Sequence, residues 1–487
     1  MQKIIIGLLL GFLIFAPYLN IPDYNFYDNK RLLQLCIMGG ISLVILFASY
    51  FKRGNLSKKN FVVVSDSSKY FFVAVLFLFS VGSISVLLSE RFEYALLEFA
   101  FLFLLISLLF ILTPINQKNH LFLGKIIIAS AILYSVSYLM LFFGNYISSF
   151  FNPMITLWPG KYDFSIIING IELQGKETLF FTHKRFFNHT QTWTIPILVG
   201  IICYHRNKFS TQWVISALLL LLTSFWWMLI FASGGRGSVL SLILSIFVLT
   251  IIWRKDLIPF LKYGSVSLAA GAIFYFIFFK LIPNSNGNMP LLRSSDSGRL
   301  NMWQGAMESW WQNPLFGIGP MHYSQIETAP FFAHPHNFYI QFITEWGSIA
   351  FIALAFLIGF LIKNVLNNYP KENQKFQSKF LYISVSWALS AALIHAFFSG
   401  VFHTPMSQIW FVLMVAWLLG YNRTKTTVIK NFANQRLASI VYVVLILVVV
   451  GLVHDDIATI YQGYENYLSK YPESKFYPRF WGQGLFE

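Results

Sequence analysis

Charge is scarce in this chain. Only 11% of its 487 residues are Asp, Glu, Lys or Arg, against roughly 25% in a soluble domain. The shortage excludes an ordinary fold in water, because 56% of the residues are hydrophobic and too little is left to cover them. Cysteine is nearly missing as well. Cys36 and Cys203 stand far apart in apolar runs, which leaves packed thiols and excludes a metal or redox motif built from them. Ionisable residues inside the apolar runs are few and no internal repeat is visible, so the marks of a proton relay or of a transporter built from paired halves are absent. No small-x-small cleavage site follows the first apolar run, 4–16; Pro17, Tyr18 and Leu19 stand there instead. That run reads as a retained span rather than a removed signal.

What the chain does have is long apolar runs. Stretches such as 32–51, 70–88 and 213–231 reach the roughly 20 residues that cross a bilayer, and in lipid an uninterrupted run satisfies its own backbone only as a helix. Spans are expected near 4–19, 32–51, 70–88, 93–113, 126–147, 192–204, 213–231, 237–253, 264–282, 348–362, 380–400, 409–421 and 437–453. The fold class is therefore an all-α polytopic membrane protein of about 12–13 transmembrane helices.

The formal charge is +15. Its basic residues are scattered over short loops with no DNA- or RNA-binding motif beside them, so nucleic acid is not an expected partner. Topology signalling and contact with membrane lipids account for the excess. With the N-terminus cytoplasmic, Lys52, Arg53, Lys58, Lys59 and Lys69 fall on one side, followed there by Lys118, Lys125, Arg206 and Lys208. Arg254, Lys255, Lys262, Lys363, Lys371, Lys375 and Lys379 join them, and so do Arg423, Lys425, Lys430 and Arg436. The opposite face then carries two long loops, 148–191 and 283–347, and a tail from His454. The chain divides into N-terminal spans at 1–147, a first outer loop with central spans at 148–282, a large partly helical outer loop at 283–347, C-terminal spans at 348–453 and the tail at 454–487.

Three outer segments carry candidate chemistry. In the large loop, Arg299 opens a helical pattern with Leu300, Trp303, Met307 and Trp310 on one face. Asn313 and Pro314 end it, Gly317 and Gly319 turn the chain, and His334, Pro335, His336 and Asn337 lead into the next span. Glu345 and Glu327 rival a histidine as base. His334 and His336 are spaced as a strand-like metal pair, but no third ligand with fitting spacing appears, so no metal is expected. The second segment, Ser233-Gly234-Gly235-Arg236-Gly237-Ser238, is a tight turn whose arginine suits phosphate oxygens; the plain alternative is a hairpin touching lipid headgroups. The third holds Lys184, Arg185, Asn188 and His189, where interfacial anchoring is the alternative. His322, His395, His403 and His454 read as hydrogen-bonded packing or interface histidines, with His403, just ahead of Thr404 and Pro405, the exception. Trp158, Trp303, Trp310 and Trp311 either stack on sugar rings or anchor loops to the membrane surface. Several cations and a histidine on one face suit a membrane-embedded anion such as a lipid diphosphate, with a base beside it.

These residues resemble a known family. Arg236 in its Ser-Gly-Gly-Arg-Gly-Ser turn, Gly298-Arg299 with Trp303, the Pro314–Gly319 run and His336-Asn337 resemble the O-antigen ligase superfamily, which includes O-antigen ligases, O-antigen polymerases and protein O-oligosaccharyltransferases. After His336-Asn337 come nine residues and Gly347, as in the ligase pattern, while Ala350 departs from its last position. The resemblance covers roughly 180–420. It implies a GT-C-like enzyme of the bacterial inner membrane with a periplasmic active face. It implies inverting, metal-independent transfer of a glycan from undecaprenyl diphosphate, without a cofactor, to an acceptor hydroxyl. That acceptor is lipid A-core for a ligase, a second lipid-linked glycan repeat for a polymerase, and a protein Ser or Thr for an oligosaccharyltransferase. His336 is the implied base, and Arg236, Arg299, Arg185 and Lys184 the implied diphosphate ligands. Asn337, Glu345, His334 and His403 are possible secondary residues.

The tail from His454 holds Asp455, Asp456, Glu465 and Glu473 against Lys470, Lys475 and Arg479, so it lacks a cytoplasmic excess of positive charge. Its tyrosines suit a segment resting on the membrane surface. A reporter active only in the periplasm should give signal when fused after Glu487 and none when fused near Asn373. A periplasmic signal at Asn373 would invert the active face.

Overall fold

The computed structural model describes residues 1–19, 26–51, 66–113, 117–151, 184–208, 213–281, 298–326, 333–370, 376–423, 432–459 and 479–481. Among them every regular element is helical. We number the α-helices α1 (Gln2–Phe15), α2 (Phe26–Phe51), α3 (Asp66–Leu88), α4 (Phe92–Leu112), α5 (Gln117–Phe151), α6 (Lys184–Lys208), α7 (Trp213–Ala232), α8 (Arg236–Trp253), α9 (Ile258–Phe276), α10 (Arg299–Gln312), α11 (Phe338–Asn367), α12 (Phe376–His395), α13 (Pro405–Arg423) and α14 (Phe432–Thr459). All but α10 correspond to expected spans. By length and hydropathy, eight helical stretches suffice to cross a membrane, one of them the α8–α9 pair, and three shorter apolar helices accompany them. The protein is an all-α polytopic membrane protein.

The perimeter shows the same thing. Phe47, Leu87, Phe247 and Leu447 are each more than 60% exposed, which water would penalise and lipid tails do not. Inside, helices pack through close contacts and tryptophan hydrogen bonds. Trp226 Nε1 donates to Thr194 Oγ1 at 2.8 Å and Trp387 Nε1 to the Leu242 carbonyl at 3.0 Å. The largest packing faces join α14 to α4, α9 to α7, α12 to both α6 and α8, α6 to α7, and α11 to α3.

Successive spans alternate in direction. Consequently the starts of α2, α4, α6, α8, α11 and α13 gather at one end, with the finishes of α3, α5, α7, α12 and α14. The described basic residues Arg254, Lys255 and Lys379 lie at the other end. There Lys379 Nζ pairs with Asp256 Oδ1 at 2.8 Å, and the Tyr369 hydroxyl donates to Asp256 Oδ2 at 2.5 Å.

Two elements differ from the sequence reading in ways that bear on function. The apolar face expected for α10 is not the buried one: Leu300 is 63% exposed, whereas Met302, Gly305 and Ala306 are buried. Small residues let α10 lie close on α11, and the tryptophans act through their indole N–H groups, Trp303 on the Pro335 carbonyl at 2.9 Å and Trp310 on Ser348 Oγ at 3.0 Å. Second, the helix expected from 348 starts at Phe338 and breaks at Gly347, with φ 79° and ψ 172°. The 314–319 run uses this break: Ile318 N–H donates to the Thr344 carbonyl at 3.0 Å and Ser348 N–H to the Pro314 carbonyl at 2.9 Å.

A Cβ on Gly347 would run into the Leu315 carbonyl, and its backbone angles belong to glycine alone. Gly347→Ala is expected to destabilise the protein by roughly 3 kcal/mol or more, read as lost thermal stability in detergent. A melting curve matching wild type would show that the kink is not required.

Candidate functional site

The site is assembled by the first two turns of α6. Positions 185, 188, 189 and 192 share one helical face, and each grips a different segment. Arg185 Nη1 donates to His336 Nε2 at 2.9 Å and lies 3.4 Å from its Nδ1. Asn188 Nδ2 donates to Ser233 Oγ at 2.7 Å. His189 Nε2 lies 2.7 Å from Ser399 Oγ, and Thr192 Oγ1 lies 3.0 Å from His395 Nδ1. One polar stripe thereby joins the histidine loop, the arginine turn and the connection between α12 and α13.

Arg236 is exposed at the first position of α8. Its turn is clamped beneath it, since a Cβ on Gly235 would sit 2.8 Å from Asn188 Cγ. One residue on, the Gly237 backbone lies against the His395 ring. Arg299, half-buried at the start of α10, acts electrostatically on that same histidine. Arg236 thus stands one residue before the glycine that meets His395, Arg299 acts on that ring through its charge, and Arg185 meets His336 directly. The side chain of Lys184 and the residues His183, Glu327 and Trp158 lie outside the described residues.

The histidine loop is pinned at each position. The Pro335 carbonyl accepts from Trp303, and the Phe338 N–H donates to the Ala396 carbonyl at 2.8 Å. The His336 N–H donates to His334 Nδ1 at 3.1 Å. Asn337 Oδ1 caps α11 by accepting from the N–H groups of Tyr339 and Ile340 at 3.0 and 3.1 Å. These bonds hold His336 at φ 55°, a left-handed conformation that non-glycine residues adopt rarely, and then often at functional sites.

Behind the loop lies an ion cluster. Arg479 Nη1 donates to Glu345 Oε1 at 2.5 Å and Nη2 to Oε2 at 2.6 Å. Nη2 also binds both oxygens of Glu98. Glu345 is fully buried and accepts further from the Tyr323 N–H at 2.9 Å and Gln341 Nε2 at 3.2 Å. His403 Nε2 lies 2.9 Å from Gln341 Oε1, and the His334 and His403 ring centroids are 5.7 Å apart. Arg31 closes the cluster, donating to the His403 carbonyl at 2.9 Å and the Phe480 carbonyl at 3.2 Å.

Much of this differs from a surface-lying tail. Arg479, Phe480 and Trp481 are buried in the bundle, and the tyrosines from Tyr461 to Tyr477 lie outside the described residues. Glu345, read as a rival base, has its oxygens committed to Arg479, Gln341 and Tyr323. Asn337 is committed to its cap. The sequence did hold a clue to the cluster: Glu98 is a charge inside an apolar run, and such a charge needs a partner. His322 is a packing histidine as expected; its Nε2 accepts from the Arg91 N–H at 2.9 Å, and Nδ1 lies 2.7 Å from the Pro320 carbonyl. His454 pairs with Asp455 at the surface. Among the described residues no group of three or more His, Cys, Asp or Glu side chains is arranged to hold a metal ion.

These features define a multi-pass helical membrane protein with arginines and histidines gathered at one end of its bundle. Residues 217–355 match the family model for O-antigen ligase, and over that stretch the resemblance to the O-antigen ligase superfamily is borne out. The match supports a glycosyltransferase of the O-antigen ligase and polymerase type. It contains Arg236, Arg299, His336 and Glu345; Arg185, His403 and Arg479 lie beyond it. No curated protein matches the chain.

Burial holds the His322 ring below the ordinary histidine value of 6.5. Burial, then the Arg479 charge, holds His403 well below it. Both rings are neutral in the folded protein, while the unfolded chain takes up protons below that ordinary value. Their contribution to stability is therefore full above pH 6.5 and is lost as pH falls through it. Melting temperatures in detergent should drop between pH 7 and 5, and less so for His322→Gln, whose amide keeps a donor and an acceptor. An identical drop in that variant would remove His322 from the account.

Proposed function

We propose that the protein is an O-antigen ligase that transfers a glycan from undecaprenyl diphosphate to a hydroxyl of lipid A-core. The reaction takes place at the periplasmic face of the bacterial inner membrane and uses no metal ion and no cofactor. The observation that carries this reading is the contact between Arg185 and His336, with Arg236 and Arg299 opening helices at the same end of the bundle.

Accepting from Arg185 requires a lone pair on His336 Nε2, which is the form a base needs. With no anion present, that lone pair is covered by a cation. A diphosphate entering beside Arg236 and Arg299 draws the Arg185 guanidinium to itself, because a charged phosphate is the stronger acceptor. His336 is then free to receive the proton of the acceptor hydroxyl. The acceptor oxygen attacks the anomeric carbon as the bond from that carbon to the diphosphate oxygen breaks, and the configuration inverts. The arginines stabilise the charge developing on the departing diphosphate. A single base suffices because the leaving group is already a stable anion, unlike the alkoxide that glycosidases must protonate.

Two variants test the assignment in reconstituted membranes. His336→Ala is expected to lower transfer about a hundred-fold or more, with the protein inserted and its melting curve retained. Arg299→Lys keeps the charge and loses the planar fork, so affinity for a lipid-diphosphate analogue should fall roughly tenfold, as for the loss of one charged hydrogen bond. Normal transfer by His336→Ala would sink the base. Normal analogue binding by Arg299→Lys, with only acceptor recognition lost, would sink the donor role.

A further inference from the structure

The C-terminal tail reaches the histidine cluster by two routes. One is through the backbone, where Arg31 binds the carbonyls of both Phe480 and His403. The other is a chain of side chains. Arg479 holds Glu345 through two bonds, so both Glu345 oxygens can only accept. Gln341 must then present its NH₂ group to Glu345, as it does at 3.2 Å. Its amide oxygen is left facing His403 Nε2 at 2.9 Å, and an amide oxygen only accepts. His403 must therefore carry its proton on Nε2. The Gly400 backbone is wedged against both the His403 and His334 rings, and His334 Nδ1 accepts from the His336 N–H at 3.1 Å.

We propose that Arg479 is a positioning residue for this site: through Glu345 and Gln341 it fixes His403 in the Nε2–H form and so sets the ring beside the His334–His336 loop. The arrangement depends on one cation between two carboxylates. Without it, Glu98 and Glu345 confront each other, and one of them takes up a proton. Where Glu345 holds that proton, it donates to Gln341, the amide turns over, and its NH₂ group faces His403. The histidine then accepts on Nε2 and carries its proton on Nδ1. A tail residue far outside the matched family region thus governs the protonation geometry of a ring in the site.

The kinetic part of the test rests on the transfer reading given above; the spectroscopic part does not. Ring nitrogens of the ¹⁵N-histidine-labelled full-length protein in detergent report the tautomer, with His403→Gln identifying the His403 signals. Wild type should show Nε2–H at His403, Arg479→Met should add an Nδ1–H population, and Arg479→Lys, which keeps a cation between the carboxylates, should restore Nε2–H alone. Gln341→Leu breaks the chain without leaving a buried charge unpaired, and should leave a mixture of tautomers in a protein that melts like wild type. In transfer assays Arg479→Met is expected to lower kcat about tenfold with donor KM within about twofold, the pattern of lost transition-state positioning rather than lost binding. Arg479→Lys should recover most of that turnover. Retention of Nε2–H alone in both Arg479→Met and Gln341→Leu would overturn the inference. So would a kcat loss in Arg479→Met that lysine does not relieve. Absence of transfer in wild type would instead overturn the proposed function, leaving the tautomer shifts to decide the role of Arg479.

Discussion

A polar group buried in a bundle that crosses a membrane has no water to turn to, so each must find its partner in protein. That constraint organises the histidine end of the molecule. Glu98 and Glu345 would repel each other in so dry a place, and the guanidinium of Arg479 between them removes the conflict. Arg31 needs acceptors in turn and finds them in Gln34, Gln408, Tyr27 and the carbonyls of His403 and Phe480. Such clusters contribute little net stability, because desolvation offsets most of the attraction. Losing one member is what costs, since it strands a buried charge. The cluster therefore specifies an arrangement more than it strengthens one, and the arrangement it specifies is the support of the histidine loop.

The front of the site follows the same rule with neutral partners. The α6 stripe at 185, 188, 189 and 192 meets three segments that are remote in sequence, each through a hydrogen bond between side chains. His336 is held in an uncommon backbone conformation by the bonds on either side of it. The family pattern acquires a physical meaning here. His336-Asn337 marks a helix cap with the histidine just outside it, and Gly347 marks the break in that helix against which the 314–319 run docks. The nine residues between them are the stretch of α11 that carries Gln341 and Glu345, the links between the cap and the ion cluster.

Several elements were legible from single residues. Apolar length located the long apolar helices among the described residues, because in lipid a run of about 20 residues has one satisfactory conformation. The motif residues Arg236, Arg299 and His336 were legible as well. The packing face of α10 was not: its amphipathic pattern pointed to Leu300 and Met307, yet the close approach of α11 favours Gly305 and Ala306. Hydropathy reports which residues avoid water, and at a membrane surface an exposed leucine need not.

The sequence by itself determined the class of protein and the residue types available for chemistry, since these depend on local composition and periodicity. Only the tertiary structure decided which cation meets which histidine. Arg185 reaches His336 across 151 positions, and Arg479 reaches Glu345 across 134. Pairings at such separations leave no periodic trace in the chain. They exist because the helices, once packed, bring particular turns to one end, where burial obliges each polar group to bond with whatever neighbour the fold supplies.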